Sequence, residues 1–124
     1  MVEVSEYSGE NELQIKCTQL ADENYKAKDK KRILSEWILF LTNNTKVFKK
    51  LVFPTRVPQE LFNAIYCQEN LEWLYIKWGV YPDISAISKL NSLEYLHLGS
   101  GRSVESIEPI AKLKNLKGPH IENF

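Results

Sequence analysis

Apolar residues recur along this chain with two different spacings. In "DKKRILSEWILFLT", residues 29 to 42, Ile33, Leu34, Trp37, Ile38 and Leu41 fall at helical intervals and predict an amphipathic helix, with Asp29 as its N-cap and Asn43-Asn44 as its stop. From Phe48 onward the spacing changes to short alternating runs. "FKKLVFPTR", "LEWLYIKWG", "LEYLHLGSG" and "LKGPHIENF" begin at Phe48, Leu71, Leu93 and Leu116, at offsets of 23, 22 and 23 residues. Side chains of a strand alternate between two faces, so Leu74 and Ile76 point one way while Trp73, Tyr75 and Lys77 point the other. The lead-in segments repeat as well, placing Ile84, Ile87 and Leu90 in register with Ile107, Ile110 and Leu113 at a tight step that suits single 3₁₀ turns. "PQELFNAIYC", from Pro58 to Cys67, carries Leu61, Phe62, Ile65 and Tyr66 and predicts one longer helix begun by proline. "NELQIKCT" alternates Leu13, Ile15 and Cys17 as a short strand would, and residues 1 to 10 read as a mobile tail.

The L-x-x-L-x-L runs, joined to I-x-x-I-x-K-L-x-x-L at a constant period, resemble the leucine-rich repeat family in the short-period bacterial style of the internalins. The resemblance covers Phe48 to Phe124, about three and a third repeats. It implies an α/β fold: a short leucine-rich repeat solenoid with parallel β-strands on the concave face, helical or 3₁₀ turns on the convex face, and an N-terminal helical cap. Residues 1–46 are then the tail and capping helix, and residues 47–124 the repeats. The family usually has Asn at the ninth repeat position; this chain has Arg56, Gly79, Gly101 and Phe124, and a glycine can turn there through positive φ. Stacked strands would set the outward residues in three columns, Lys50-Trp73-Tyr95-Gly118, Val52-Tyr75-His97-His120 and Pro54-Lys77-Gly99-Glu122. Trp73, Tyr75, Trp78 and Tyr95 would form one aromatic patch bordered by Lys50, Lys77, His97 and His120. Such a patch predicts recognition of an unidentified protein or peptide partner, because tryptophan and tyrosine dominate binding hot spots. The rival is that these rings only hold the sheet together or lie under the N-terminal segment.

Composition narrows the function more than the fold. Formal net charge is +0 and the charges are spread evenly between the halves, which gives nucleic-acid binding no electrostatic support. "KAKDKKR", residues 26 to 32, is broken by Asp29 and reads as a solvated face. The longest apolar run, "WILFL", cannot span a membrane, and the acidic start "MVEVSEYSGENE" is no secretory leader. Two distant cysteines, Cys17 and Cys67, fit reduced thiols in a cytoplasmic protein. "GSGRS" lacks the lysine of a phosphate loop, no nucleophile motif occurs, and His97 with His120 would have only Tyr75 and Glu122 as further ligands. The expectation is therefore a binding module that is not an enzyme and has no cofactor or metal. A glycan or small-ligand binder is the alternative, or a fragment of a longer repeat protein with no site of its own. The last run stops at Phe124 after a strand, with Pro119 where earlier runs have Leu74 and Leu96. Loss of the repeat there favours a truncated chain that self-associates through its C-terminal edge; the rival expectation is a complete chain whose edge Pro119 blunts, since proline cannot donate to a further strand.

Overall fold

Period-two stretches become strands here because each has one face of Leu, Ile or Phe to bury and a parallel neighbour to pair with. The computed structural model describes residues 1–99, 103–118 and 120–121, the last two by their backbone only. The expectations resting on Gly101, Pro119, Glu122, Phe124 and the His120 side chain lie outside the described residues. In chain order the elements are β1 (Glu12–Gln14), α1 (Ala27–Asn43), β2 (Lys50–Phe53), β3 (Val57–Pro58), α2 (Gln59–Ile65), β4 (Trp73–Ile76), β5 (Gly79–Val80), β6 (Tyr95–Leu98) and β7 (His120–Ile121). Short 3₁₀ turns occupy Val4–Glu6, Ser85–Lys89 and Glu108–Lys112. The fold is mixed α/β. Strands β1, β2, β4, β6 and β7 form an open parallel sheet in that order, and β3 pairs with β5 in a second, two-stranded one. Register follows the sequence period: Lys50 pairs with Trp73 and Trp73 with Tyr95.

One face of the larger sheet presents Leu13, Leu51, Leu74 and Leu96, then Phe53, Ile76 and Leu98, all buried. They share one core with Ile33, Trp37 and Leu41 of α1, Leu61, Phe62 and Ile65 of α2, and Ile84, Ile87 and Leu90. A polar ladder ties the successive segments together one residue ahead of each leading leucine. Asn70 donates to the Lys46 carbonyl (2.9 Å), Ser92 to that of Glu69 (3.5 Å) and Asn115 to that of Asn91 (2.8 Å). These bonds satisfy backbone oxygens that no strand pairing reaches.

Several local expectations change. Gly79 does not turn the chain through positive φ: it is extended in β5 beside Val57, and a Cβ there would overlap the Val57 carbonyl oxygen and the Tyr81 ring. Gly99 has the same role against the Lys77 carbonyl. Asp29 is not the N-cap of α1, which starts two residues earlier at Ala27; its carboxylate accepts the Lys26 N–H from the first turn (3.3 Å). The stop at Asn43-Asn44 stands. Residues 1 to 10 are no loose tail. The Trp37 indole donates to the Val2 carbonyl (2.7 Å), Arg32 pairs with Glu3 (2.9 Å), the Met1 amine donates to Gln14 O (2.9 Å), and Tyr7 packs edge-on against Phe40 and Phe48. Val2, Val4 and Tyr7 are partly buried and pack against the core, which holds the segment in place. Cys17 and Cys67 are both free, and among the described residues no helix is long and apolar enough to cross a membrane.

Candidate binding face

The face of the sheet opposite the core carries two columns. The first runs Glu12, Lys50, Trp73, Tyr95 from strand to strand, and the second runs Gln14, Val52, Tyr75, His97, His120. Parallel strands stand about 4.8 Å apart, which is close to ring-stacking distance, so aromatic residues on adjacent rungs lie flat against each other. Trp73 and Tyr95 stack with centroids 3.8 Å apart and planes 16° from parallel. The Lys50 ammonium covers the Trp73 ring from the other side, 4.9 Å from its centroid. In the second column Tyr75 stacks on His97 at 4.3 Å and 13°.

The expected single patch is divided. Lys50, Trp73 and Tyr95 line a groove of about 500 Å³ at the N-terminal ends of the strands, together with Glu12, Lys49, Glu72, Glu94 and Lys117. Lys77 and Trp78 lie at the opposite, C-terminal ends. Lys77 is exposed, whereas Trp78 is half-buried and its indole donates to the Gln19 side-chain oxygen (3.2 Å), so the loop after β1 already engages it. That loop is held in turn by the Arg56 N–H on the same Gln19 oxygen and by Thr18 on the Arg56 carbonyl. His97 was expected at the border of the patch but is only 7% exposed, enclosed at Tyr75, and is no surface contact. Tyr75 is half-buried, leaving Trp73, 40% exposed, as the most open ring of the set.

The sequence reading missed the charged wall of the groove. Lys49, Glu72, Glu94 and Lys117 precede their strands at one repeat position, linked in series by Glu72, Glu94 and Lys117 amides donating to the preceding residue's carbonyl, each at 2.8 Å. The period that aligned the leucines contains these four as its next column, so the signal was present. Glu12 was not accessible that way, since β1 pairs with β2 across a separation unrelated to the repeat. Lys117 bridges Glu94 at 2.9 Å, which raises the lysine's pKa through the hydrogen bond and the carboxylate charge. Among the described residues neither Glu12 nor Glu72 forms an ion pair, and no group of three His, Cys, Asp or Glu side chains is placed to hold a metal. Burial pushes the Cys17 thiol up to about 12, far from a thiolate nucleophile. The face presents a stacked aromatic ridge in a groove lined by acidic and basic groups. No family model, curated protein or solved structure significantly matches the chain.

Proposed function

We propose that the chain is a short solenoid of the leucine-rich repeat type, capped by α1, and that the groove over Trp73 and Tyr95 recognises an extended peptide or protein segment. The 23- and 22-residue offsets between paired strands support the solenoid, as does the ladder from Asn70, Ser92 and Asn115. The observation that carries the functional reading is the occupancy of both Trp73 faces, by Tyr95 on one side and Lys50 on the other. A sugar binds aromatic side chains by lying on an open ring face, and Trp73, the most exposed ring of the groove, has both faces covered; Tyr95 keeps one, but it is only half-exposed. Trp73 presents its edge, the electropositive part of the ring, and that edge suits peptide carbonyls and aliphatic side chains. Mixed charges along the wall, Glu12, Glu72 and Glu94 against Lys49, Lys50 and Lys117, suit a polypeptide more than a ligand of single charge. The two unpaired cysteines fit a reducing, cytoplasmic setting.

Selection of a random peptide library on the immobilised protein tests this reading. Retained peptides should lose affinity by about 2 kcal/mol or more on Trp73→Ala, as a central interface aromatic does, and should keep it on Lys77→Ala at the far end. Failure to enrich any peptide, alongside binding of soluble oligosaccharides that Trp73→Ala abolishes, would reverse the choice between peptide and glycan.

A further inference from the structure

Tyr95 has two ring faces, and Trp73 takes one of them. Among the described residues no other ring and no cation stacks on the second. The register sets Gly118 on the next rung: the Lys117 N–H donates to the Glu94 carbonyl, and His120 pairs with His97. Gly118 is exposed with φ 94°, and a Cβ built on it would meet nothing within 4 Å. The column that carries Lys50, Trp73 and Tyr95 on three successive rungs thus meets a rung without a side chain. Glu94, one residue ahead of Tyr95, lines the same groove. Its partner Lys117 keeps 76% of its side chain in water. A bridge so exposed is easily exchanged, because both charges stay hydrated whether or not they touch.

Resting on the peptide-recognition reading, we infer that the open face of Tyr95, with the Glu94 carboxylate beside it, is a socket for an arginine side chain of the bound segment. A guanidinium is planar and weakly hydrated, stacks on an aromatic face, and can give two parallel N–H bonds to one carboxylate. It would extend the column by one more layer, with Lys50 covering the Trp73 end and the arginine covering the Tyr95 end. Lys117 is then a competitor for Glu94, released when the arginine docks.

The test is an NMR titration of the intact chain with a blocked arginine amide, and with the blocked citrulline amide that keeps the shape and removes the charge. The arginine probe should shift the Glu94, Tyr95 and Gly118 amides saturably, about tenfold more tightly than citrulline. Glu94→Gln and Tyr95→Leu should each reduce arginine binding to the citrulline level, with the remaining spectrum reporting that the variants are folded. Lys117→Ala should tighten it, which a purely structural role for Glu94 does not predict. Equal binding of the two probes, or shifts confined to other residues, overturns the socket while leaving peptide selection free to succeed. Arginine binding as described, with no peptide retained from the library, keeps the socket and removes the peptide reading.

Discussion

The two cysteines illustrate how far a single residue's chemistry depends on packing. Cys17 continues the buried alternation of Leu13 and Ile15, and desolvation raises its thiol to about 12, so almost none is thiolate at neutral pH. Cys67 follows α2 and is half-exposed. A disulfide reagent at pH 7 is therefore expected to modify Cys67 rapidly and Cys17 only as fast as the protein unfolds; equal rates for both would mean that the β1 segment opens freely. Only the phase of Cys17 was placed correctly by alternation: it is buried like Leu13 and Ile15, but β1 ends at Gln14, short of it. His97 and Trp78 were not placed correctly. His97 alternates outward by the same rule as Tyr75, yet it is only 7% exposed and stacks on Tyr75. Trp78 is taken by Gln19, a residue with φ 55° in a loop that no period describes. Where a side chain's partner comes from a distant segment, one-dimensional spacing cannot reveal it.

At the level of elements, β2, β4, β6 and α1 were legible because each buries a periodic stripe, whereas the two-residue strands β3 and β5 and the N-terminal segment had no period to read. The attachment of the N-terminal segment makes a pH-dependent prediction. The Arg32 guanidinium, hydrogen-bonded to Glu3, holds that carboxyl below its ordinary value of 4.5. A carboxyl with a lowered folded pKa stabilises the attachment fully above the ordinary value, and the contribution is lost as pH falls through the lowered one. The Trp37 indole N–H, bonded to Val2, should accordingly keep its chemical shift from pH 7 down to about 5 and move below about 4. Arg32→Met should show the acid-like shift already at pH 7, and an indole signal indifferent to both changes would detach the Glu3 pair from the anchoring of Val2. Strand β4 makes a second prediction through its alternation. Leu74→Ala empties a fully buried site and should cost about 2–5 kcal/mol in denaturant melts. Trp73→Ala forfeits a stack on an exposed face and should cost about 0.5–1.5 kcal/mol. Comparable losses at 73 and 74 would contradict the assignment of the two faces.

Across the molecule, burial of the core positions is near complete from β2 to β6 and falls in the segment that follows. Ile84, Ile87, Leu90 and Leu93 are all within 1% of complete burial, but their counterparts one period later are not: Ile107 is 52% exposed, Ile110 and Leu113 each 7%, and Leu116 half-buried. Hydrogen bonding follows this decline at Leu116 but not at Ile110 or Leu113. Ile87, Leu90 and Leu93 donate to residues three earlier at 3.0, 3.0 and 3.1 Å; Ile110 and Leu113 do the same at 3.0 and 3.1 Å, while Leu116 reaches Leu113 only at 3.5 Å. At Ile87 and Ile110, and at Leu90 and Leu113, nearly the same bonds in different surroundings separate the effect of neighbours from that of local geometry. The segment with the fewest buried apolar contacts opens at the lowest free energy. Native-state hydrogen exchange should therefore find the Ile110 and Leu113 amides exchanging through local opening, well below the free energy of global unfolding, while those of Ile87 and Leu90 exchange only when the whole chain unfolds. Mutation should agree, with Ile87→Ala costing about 2–5 kcal/mol and Ile110→Ala less, because a segment already prone to open loses less by being weakened. Equal protection of both stretches, with equal cost at 87 and 110, would show that the residues around Ile110 unfold together with the sheet as one cooperative unit, and that burial by neighbours is not what grades stability along the chain.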